Sequence, residues 1–412
     1  MSDSSLRICS LLPSLTEIVG GLRLQDNLVG VTHECDVCED EAGFARALAC
    51  GALVVTRSHI PAGLSQGDID AAVKASLGAG VSLYSLDEPK LRAAAPTVIL
   101  TQTLCEVCAV AEGEVALACS RLSSSLPSAP AVHAFEPHTL DDVSASLLSV
   151  GTVCGVPERG RALRAEFEER LEAVRLAVRA ASSTAATSTK PPKLLLLEWL
   201  DPPYDGGSWI PDMVRCAGAE PAMNAHGVKS AGHTWAEVQA ADPDVVVVAC
   251  CGFDLQRNVA DVLAAAAKPS GLRTLRAWRE GRVFATDANR YFARPSQALA
   301  AGAALLARVV HGAQMDALLP FVPVEGVGWR CVGDESPLTA SVVDVEDCTD
   351  VLCSRRVLYM YIYVCMYVCM YIPMYVCMYI YAYITQQGRL VSRGRGDLRD
   401  ECSGMLTYAD VC

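Results

Sequence analysis

Two Cys-x-x-Cys pairs stand in the first third of the chain, Cys35-Asp-Val-Cys38 and Cys105-Glu-Val-Cys108. Each follows a run that reads as a strand, and His33 precedes the first pair by two residues. Thiolate and imidazole are soft-to-borderline ligands suited to zinc, cobalt or copper. His33, Cys35, Cys105 and Cys108 are therefore a candidate metal-ligating set, provided their strand ends are neighbours. Cys105 at a helix start would also have a lowered pKa, because the dipole favours thiolate. The competing reading packs these thiols as small apolar groups. Cys250-Cys251 closes a valine-rich run and reads as core.

A second group of residues suits binding rather than ligation. Trp199, Tyr204 and Trp209 follow the run Lys193–Trp199, among Pro202, Pro203, Gly206 and Gly207. Tyr291, Phe292, Arg294 and Pro295 follow the run that ends at Thr286. Aromatic side chains on strand-end loops flanked by Gly and Pro predict a flat apolar platform for a large planar ligand, or alternatively packing between lobes. Pro13, Ser14, Thr16 and Glu17 open a helix after the first strand, and the Ser14-x-x-Glu17 spacing predicts a capping box that can also line a cleft. No Gly-x-Gly-x-x-Gly, Gly-Lys-Ser/Thr or Gly-x-Ser-x-Gly signature follows a strand, which lowers the expectation of an enzyme.

The elements that must hold these groups alternate. Strands are predicted at 6–12, 28–32, 81–85, 97–101 and 131–135, then at 193–199, 244–250 and 282–286. Helical periodicity fills 15–22, 68–77 and 140–153, the last after the cap-like Thr139. Alternation of this kind predicts α/β architecture with parallel sheets. Pro157 opens a run with Leu163, Phe167, Leu171, Val174 and Val178 on one stripe. The predicted organisation is an N-terminal α/β lobe over 1–156, a single long backbone helix over 157–181, a linker over 182–192, a C-terminal α/β lobe over 193–330 and a tail over 331–412.

The chain has 412 residues, 51% hydrophobic, enough for two domains with substantial cores. Its net charge of −13 with no Lys/Arg-rich run excludes a phosphate-backbone binder, so no nucleic-acid partner is expected. Eight of the 19 cysteines lie beyond residue 330, in a tail of different character. Residues 357–385 carry no charge, and Tyr-Val-Cys-Met recurs three times, a period of four that a repeated four-base DNA unit would produce. The tail is therefore expected to be low-complexity sequence rather than a membrane anchor, since tyrosine belongs at membrane interfaces and not through their centre. Met1–Arg7 shows no secretory pattern, which predicts a cytoplasmic protein whose cysteines remain thiols.

Four segments resemble the cobalamin-binding proteins of the cobalamin/iron-siderophore periplasmic-binding family: Arg7–Glu17, Val29–Asp36, Leu100–Val110 and Trp235–Asp244. The likeness runs from about residue 6 to residue 312. It implies two Rossmann-like lobes joined by one backbone helix, with a corrinoid held between them. It places Pro13, Ser14, Thr16, Glu17, Tyr291, Phe292, Arg294 and Pro295 on that ligand. Arg294 would be available to carboxamides or phosphate, and the set His33, Cys35, Cys105 and Cys108, if it converges, would bind zinc or lend His33 or a thiolate as an axial ligand to cobalt. Members that dock on a transporter carry an acidic residue at the tip of each lobe. Glu88 and Glu237 are each displaced by about one position, so a membrane permease is not expected as partner.

The expectation from sequence is thus a monomeric, non-catalytic binder of cobalamin or another corrinoid, with zinc as a further candidate ligand. Its site would comprise Pro13, Ser14, Thr16, Glu17, His33, Glu34, Trp199, Tyr204, Trp209, Tyr291, Phe292, Arg294 and Pro295. The alternatives are a thiol- or metal-dependent enzyme acting on a cobalt or iron complex, and an iron-siderophore binder. The absence of a basic cluster among the cleft motifs disfavours the latter.

Overall fold

A computed structural model describes residues 6–35, 51–102, 129–184, 190–268 and 271–332. Cys38, Cys105, Cys108 and the tail lie outside the described residues. Among the described residues, seven strands come from the first half of the chain: β1 (Ile8–Ser10), β2 (Leu28–Val31), β3 (Leu53–Val54), β4 (Thr56–Ser58), β5 (Tyr84–Leu86), β6 (Val98–Gln102) and β7 (Ala131–Phe135). Five of them form a parallel sheet in the order β3-β2-β1-β6-β7.

The second sheet uses β8 (Lys193–Leu200), β9 (Pro203–Asp205), β10 (Glu220–Pro221), β11 (Val245–Val248), β12 (Val283–Thr286) and β13 (Trp329–Cys331). Its order is β10-β8-β11-β12-β13, with β9 beside β8. The first four strands of that order run parallel, whereas β9 and β13 are antiparallel to their neighbours. Val245 to Val248 are all fully buried, as a central parallel strand covered on both faces requires. The fold is α/β, with two Rossmann-like sheets.

Between the sheets runs the helix Pro157–Thr184, 28 residues or about 42 Å at 1.5 Å per residue. Phe167, Leu171 and Val174 are buried along one stripe and join a core that includes Leu147 and Val150 of the first lobe and Met213, Leu305 and Leu306 of the second. Its outer face carries i,i+4 ion pairs, Arg164 to Glu168 at 2.8 Å and Arg170 to Glu166 at 2.6 Å. Each such exposed pair contributes about 0.3–0.5 kcal/mol. The stripe, not the charges, anchors the helix.

One expected strand pairs elsewhere. The run near 81–85 does not enter the parallel sheet; β5 pairs antiparallel with β4 in a separate two-stranded ribbon. Between β4 and β5 lies the helix Gln66–Gly78, capped by Ser65, whose side chain accepts from the Asp68 amide. Of that helix only Gln66 is buried. Ile69, Ala72 and Val73 are half-buried on one side, and none of them joins either lobe's core.

Helix Leu299–His311 is buried along most of its length and supports the short helix Ala288–Tyr291. The contact is close: a Cβ built on Gly302 would lie 2.1 Å from the Tyr291 carbonyl oxygen. Gly302→Ala is expected to push the 288–297 segment outward and to cost about 1–3 kcal/mol, the usual range for overpacking. A lowered midpoint in urea denaturation checks it.

Candidate functional site

Both sheets reverse their direction of winding. In the first, the chain moves outward from β1 to β2 and β3, then returns to place β6 on the other side of β1. In the second, β10 flanks β8 on one side and β11 on the other. Open parallel sheets bind ligands outside the carboxyl ends of strands at such reversal points. The crevices therefore fall after Ser10 and Gln102 in one lobe, and after Leu200 and Val248 in the other.

Helix Pro13–Gly21 starts at the first crevice. Its N-cap is Leu12, with no side-chain hydrogen bond, and Pro13 sits in the first turn. The expected Ser14–Glu17 capping box does not form. Pro13 lacks an N–H, so one orphan donor is already removed, and the Glu17 carboxylate turns to the second lobe. Glu17 Oε1 accepts from Arg294 Nη1 at 3.1 Å and Oε2 accepts from Ser296 Oγ at 2.5 Å. The Glu17 backbone carbonyl accepts from Gln297 Nε2 at 3.0 Å. Ser14, Thr16 and Glu17 are all buried.

Arg294 also donates from Nη2 to the Glu34 carbonyl at 3.1 Å. Its side chain is 7% exposed and that of Glu17 is 3% exposed. Arg294 is thus engaged by the protein and not available to a ligand's carboxamides or phosphate, contrary to the expectation from sequence. What it does instead is join the Pro13–Glu17 turn, the His33–Cys35 turn and the 294–297 loop. Those three segments, separated by up to 280 residues in the chain, meet at one seam.

His33 stands at that seam, half-buried after β2. Its backbone N–H donates to Thr56 Oγ1 at 3.1 Å, and its Nδ1 lies 2.7 Å from the same hydroxyl. The ring tilts against Tyr84, with centroids 5.5 Å apart. Nε2 is shielded and makes no hydrogen bond among the described residues; the exposed Glu34 carboxylate lies 3.4 Å away. Burial holds the His33 pKa below its ordinary value of 6.5, opposed by Glu34. Thr56 therefore orients the imidazole, and its shielded Nε2 lies beside the Glu34 carboxylate.

Cys35 is different. Its Sγ lies 3.1 Å from both Thr16 Oγ1 and Thr32 Oγ1, and burial pushes its pKa upward. Cys105 and Cys108, expected beside His33 and Cys35 in one ligand set, lie outside the described residues. Among the described residues no group of three His, Cys, Asp or Glu could hold a metal ion. No disulfide joins the described cysteines either.

Burial also lowers the pKa of His311, whose Nε2 contacts the Ala217 carbonyl at 2.9 Å. For both histidines the folded pKa lies below the unfolded one, so on acidification the unfolded chain takes up the proton first. Their contribution to stability is full above about pH 6.5 and is lost as pH falls through the folded values. Thermal midpoints measured from pH 8 down to 5 are expected to fall, and His33→Gln with His311→Gln should flatten that slope.

In the second lobe the aromatics divide. Trp199 is half-buried at the end of β8 and packs on Phe253, ring centroids 5.3 Å apart. Arg257 lies over the Phe253 ring, 4.5 Å from its centroid. Tyr204 is half-buried against Gly232. Trp209 and Phe292 are instead core residues, 8% and 2% exposed, joined by a hydrogen bond of 2.9 Å from Trp209 Nε1 to the Phe292 carbonyl. They support the loops rather than form a platform. Tyr291 packs against Gly328 and Pro295 is half-buried. Phe253, not singled out from sequence, completes the pair at the crevice; its place two residues after Cys251 was the available signal.

The family profile described as "Periplasmic binding protein" matches residues 85–290, half of the chain. No curated relative matches. Among solved structures, a periplasmic heme-binding protein from Pseudomonas aeruginosa is 19% identical, with a TM-score of 0.50, covering 74% of this chain and 92% of that one. An ABC transporter substrate-binding protein from Listeria monocytogenes is 14% identical, with a TM-score of 0.53, covering 74% and 98%. A periplasmic heme-binding protein from Roseiflexus is 20% identical, with a TM-score of 0.50, covering 77% and 99%.

This finding corrects the cytoplasmic expectation, because the matched family is one of periplasmic binding proteins. The N-terminal pattern on which that expectation rested carries less weight than half a chain of family match. The family is one of binding proteins, which supports the expectation of a non-catalytic binder over the thiol- or metal-dependent enzyme. The chain belongs to the periplasmic binding protein family.

Proposed function

We propose that this protein binds a corrinoid, cobalamin or a close relative, in the cleft between its lobes, for delivery to a membrane permease. One observation carries the reading: the Pro13–Glu17 and His33–Cys35 turns, which carry the resemblance to cobalamin-binding proteins, lie together at the seam through Arg294. A planar macrocycle there would have His33 at its edge, with Trp199 and Phe253 as the apolar contact from the other lobe. Affinity would come mainly from burying the macrocycle's faces, at about 25 cal/mol per Å².

The known heme binders of this fold make hemin the comparison ligand. Purified protein is titrated with hydroxocobalamin, cyanocobalamin and hemin, followed by absorption and heat. Hydroxocobalamin is expected to bind with a shift of its visible bands, and His33→Ala to weaken it at least tenfold, about 1.4 kcal/mol. Saturable binding of hemin alone would replace the corrinoid by a porphyrin. No spectral or thermal change with any of the three at tens of micromolar would overturn the reading.

A further inference from the structure

The ribbon β4–β5 with helix Gln66–Gly78 at its far end forms an arm, residues 56–86. Its base belongs to the first lobe: β4 carries Thr56, which bonds His33, and β5 carries Tyr84, which packs on the same ring. Its tip is held by the second lobe. Gln66 is 5% exposed. Its Oε1 accepts from the Leu200 amide at 2.7 Å, and its Nε2 donates to Asp261 Oδ2 at 2.8 Å and lies 3.3 Å from Cys250 Sγ. Its carbonyl accepts from Trp199 Nε1 at 3.2 Å, and Arg257 Nη2 donates to the Leu64 carbonyl at 2.8 Å.

Leu200 and Cys250 end β8 and lie just beyond β11, the two strands between which the second sheet reverses. Gln66 therefore fills the crevice that the topology offers to a ligand, and its backbone carbonyl covers the indole nitrogen of Trp199. The attachment is mainly polar, through the buried Gln66 side chain and a few backbone groups, and Ile69, Ala72 and Val73 of the helix are only half-buried. Segments with few buried apolar contacts open at the low end of the stability range.

We infer that the arm is a detachable strap that occludes the ligand crevice of the second lobe, with Gln66 as its plug. Strap and ligand compete for the same strand ends, so the apparent affinity is reduced by the fraction of molecules with the strap open. The link from Gln66 to Trp199 at the tip and from Thr56 and Tyr84 to His33 at the base makes one element touch both sides of the cleft. The competition part of the inference rests on the ligand reading above; the docking of the strap does not.

Gln66→Ala tests it by two measurements on the whole protein. Hydrogen–deuterium exchange should rise at least tenfold at amides of residues 64–80 while those of β6 and β11 stay unchanged. Unchanged exchange at 64–80 overturns the strap. In parallel, hydroxocobalamin and hemin are titrated into wild type and variant. The ligand that wild type binds should bind the variant about tenfold more tightly, chiefly through faster association. Equal or weaker binding by the variant overturns the competition. If neither protein binds either ligand while exchange at 64–80 rises, the macrocycle reading falls and the latch between lobes stands.

Discussion

Arg294→Ala is expected to destabilise the fold by about 3–5 kcal/mol, because it leaves the Glu17 carboxylate buried without its countercharge. Both partners are nearly inaccessible, and Glu17 cannot recruit water without opening the seam between helix Pro13–Gly21 and the 294–297 loop. Glu17→Ala should cost a comparable amount for the mirror reason. The pair replaced together by apolar residues of similar volume, Glu17→Leu with Arg294→Met, should recover much of the loss, since the desolvation of two charges disappears with them. Urea denaturation of the four proteins gives the comparison. A single variant within about 0.5 kcal/mol of wild type, the usual effect of an exposed substitution, would mean that the pair is solvated in solution.

Phe167→Ala should have a comparable effect, about 3–5 kcal/mol, the range for emptying a large aromatic site in a core. Phe167 is 1% exposed on the helix Pro157–Thr184 and shares one cluster with buried side chains from both lobes. The cavity would therefore loosen both sheets' attachment to the helix at once. Circular dichroism and tryptophan fluorescence should report the same lowered midpoint. A drop seen by one probe alone would show that the lobes unfold separately.

The sequence reveals the sheets well because their evidence is local. Four consecutive valines at 245–248 and the run at 193–200 have no other stable home than a covered parallel strand. The stripe Phe167, Leu171, Val174 is likewise legible, since period alone identifies it. The arm is not, because Thr56-Arg57-Ser58 has no apolar periodicity and pairs only with a segment some thirty residues on. The site is legible in its segments and illegible in its bonds. Ser14-x-x-Glu17 has the spacing of a cap, yet the partner of Glu17 lies 277 residues away, where no local rule reaches. Aromatic residues near strand ends share one composition whether they face a cleft or a core. Trp209 and Phe292 therefore read the same as Trp199, and only packing distinguishes them. Gln66 carries no signal at all: a buried amide looks like any surface glutamine until its four partners are in place.

The last described strand has a consequence for where this chain can be cut. β13 lies antiparallel along β12, pairing Trp329 with Thr286 and Cys331 with Phe284, and the Val332 amide closes on the Val283 carbonyl at 2.7 Å. A protein ended before residue 329 would leave the row of amides and carbonyls on the outer side of β12 unpaired, above a sheet rich in valine. Such a row recruits a strand from another molecule. Chains stopped near 325 should thus appear as aggregates or exchanged dimers on a sizing column, while chains stopped near 335 should not. The short return strand thus covers the β12 edge, and a shortened version should retain it.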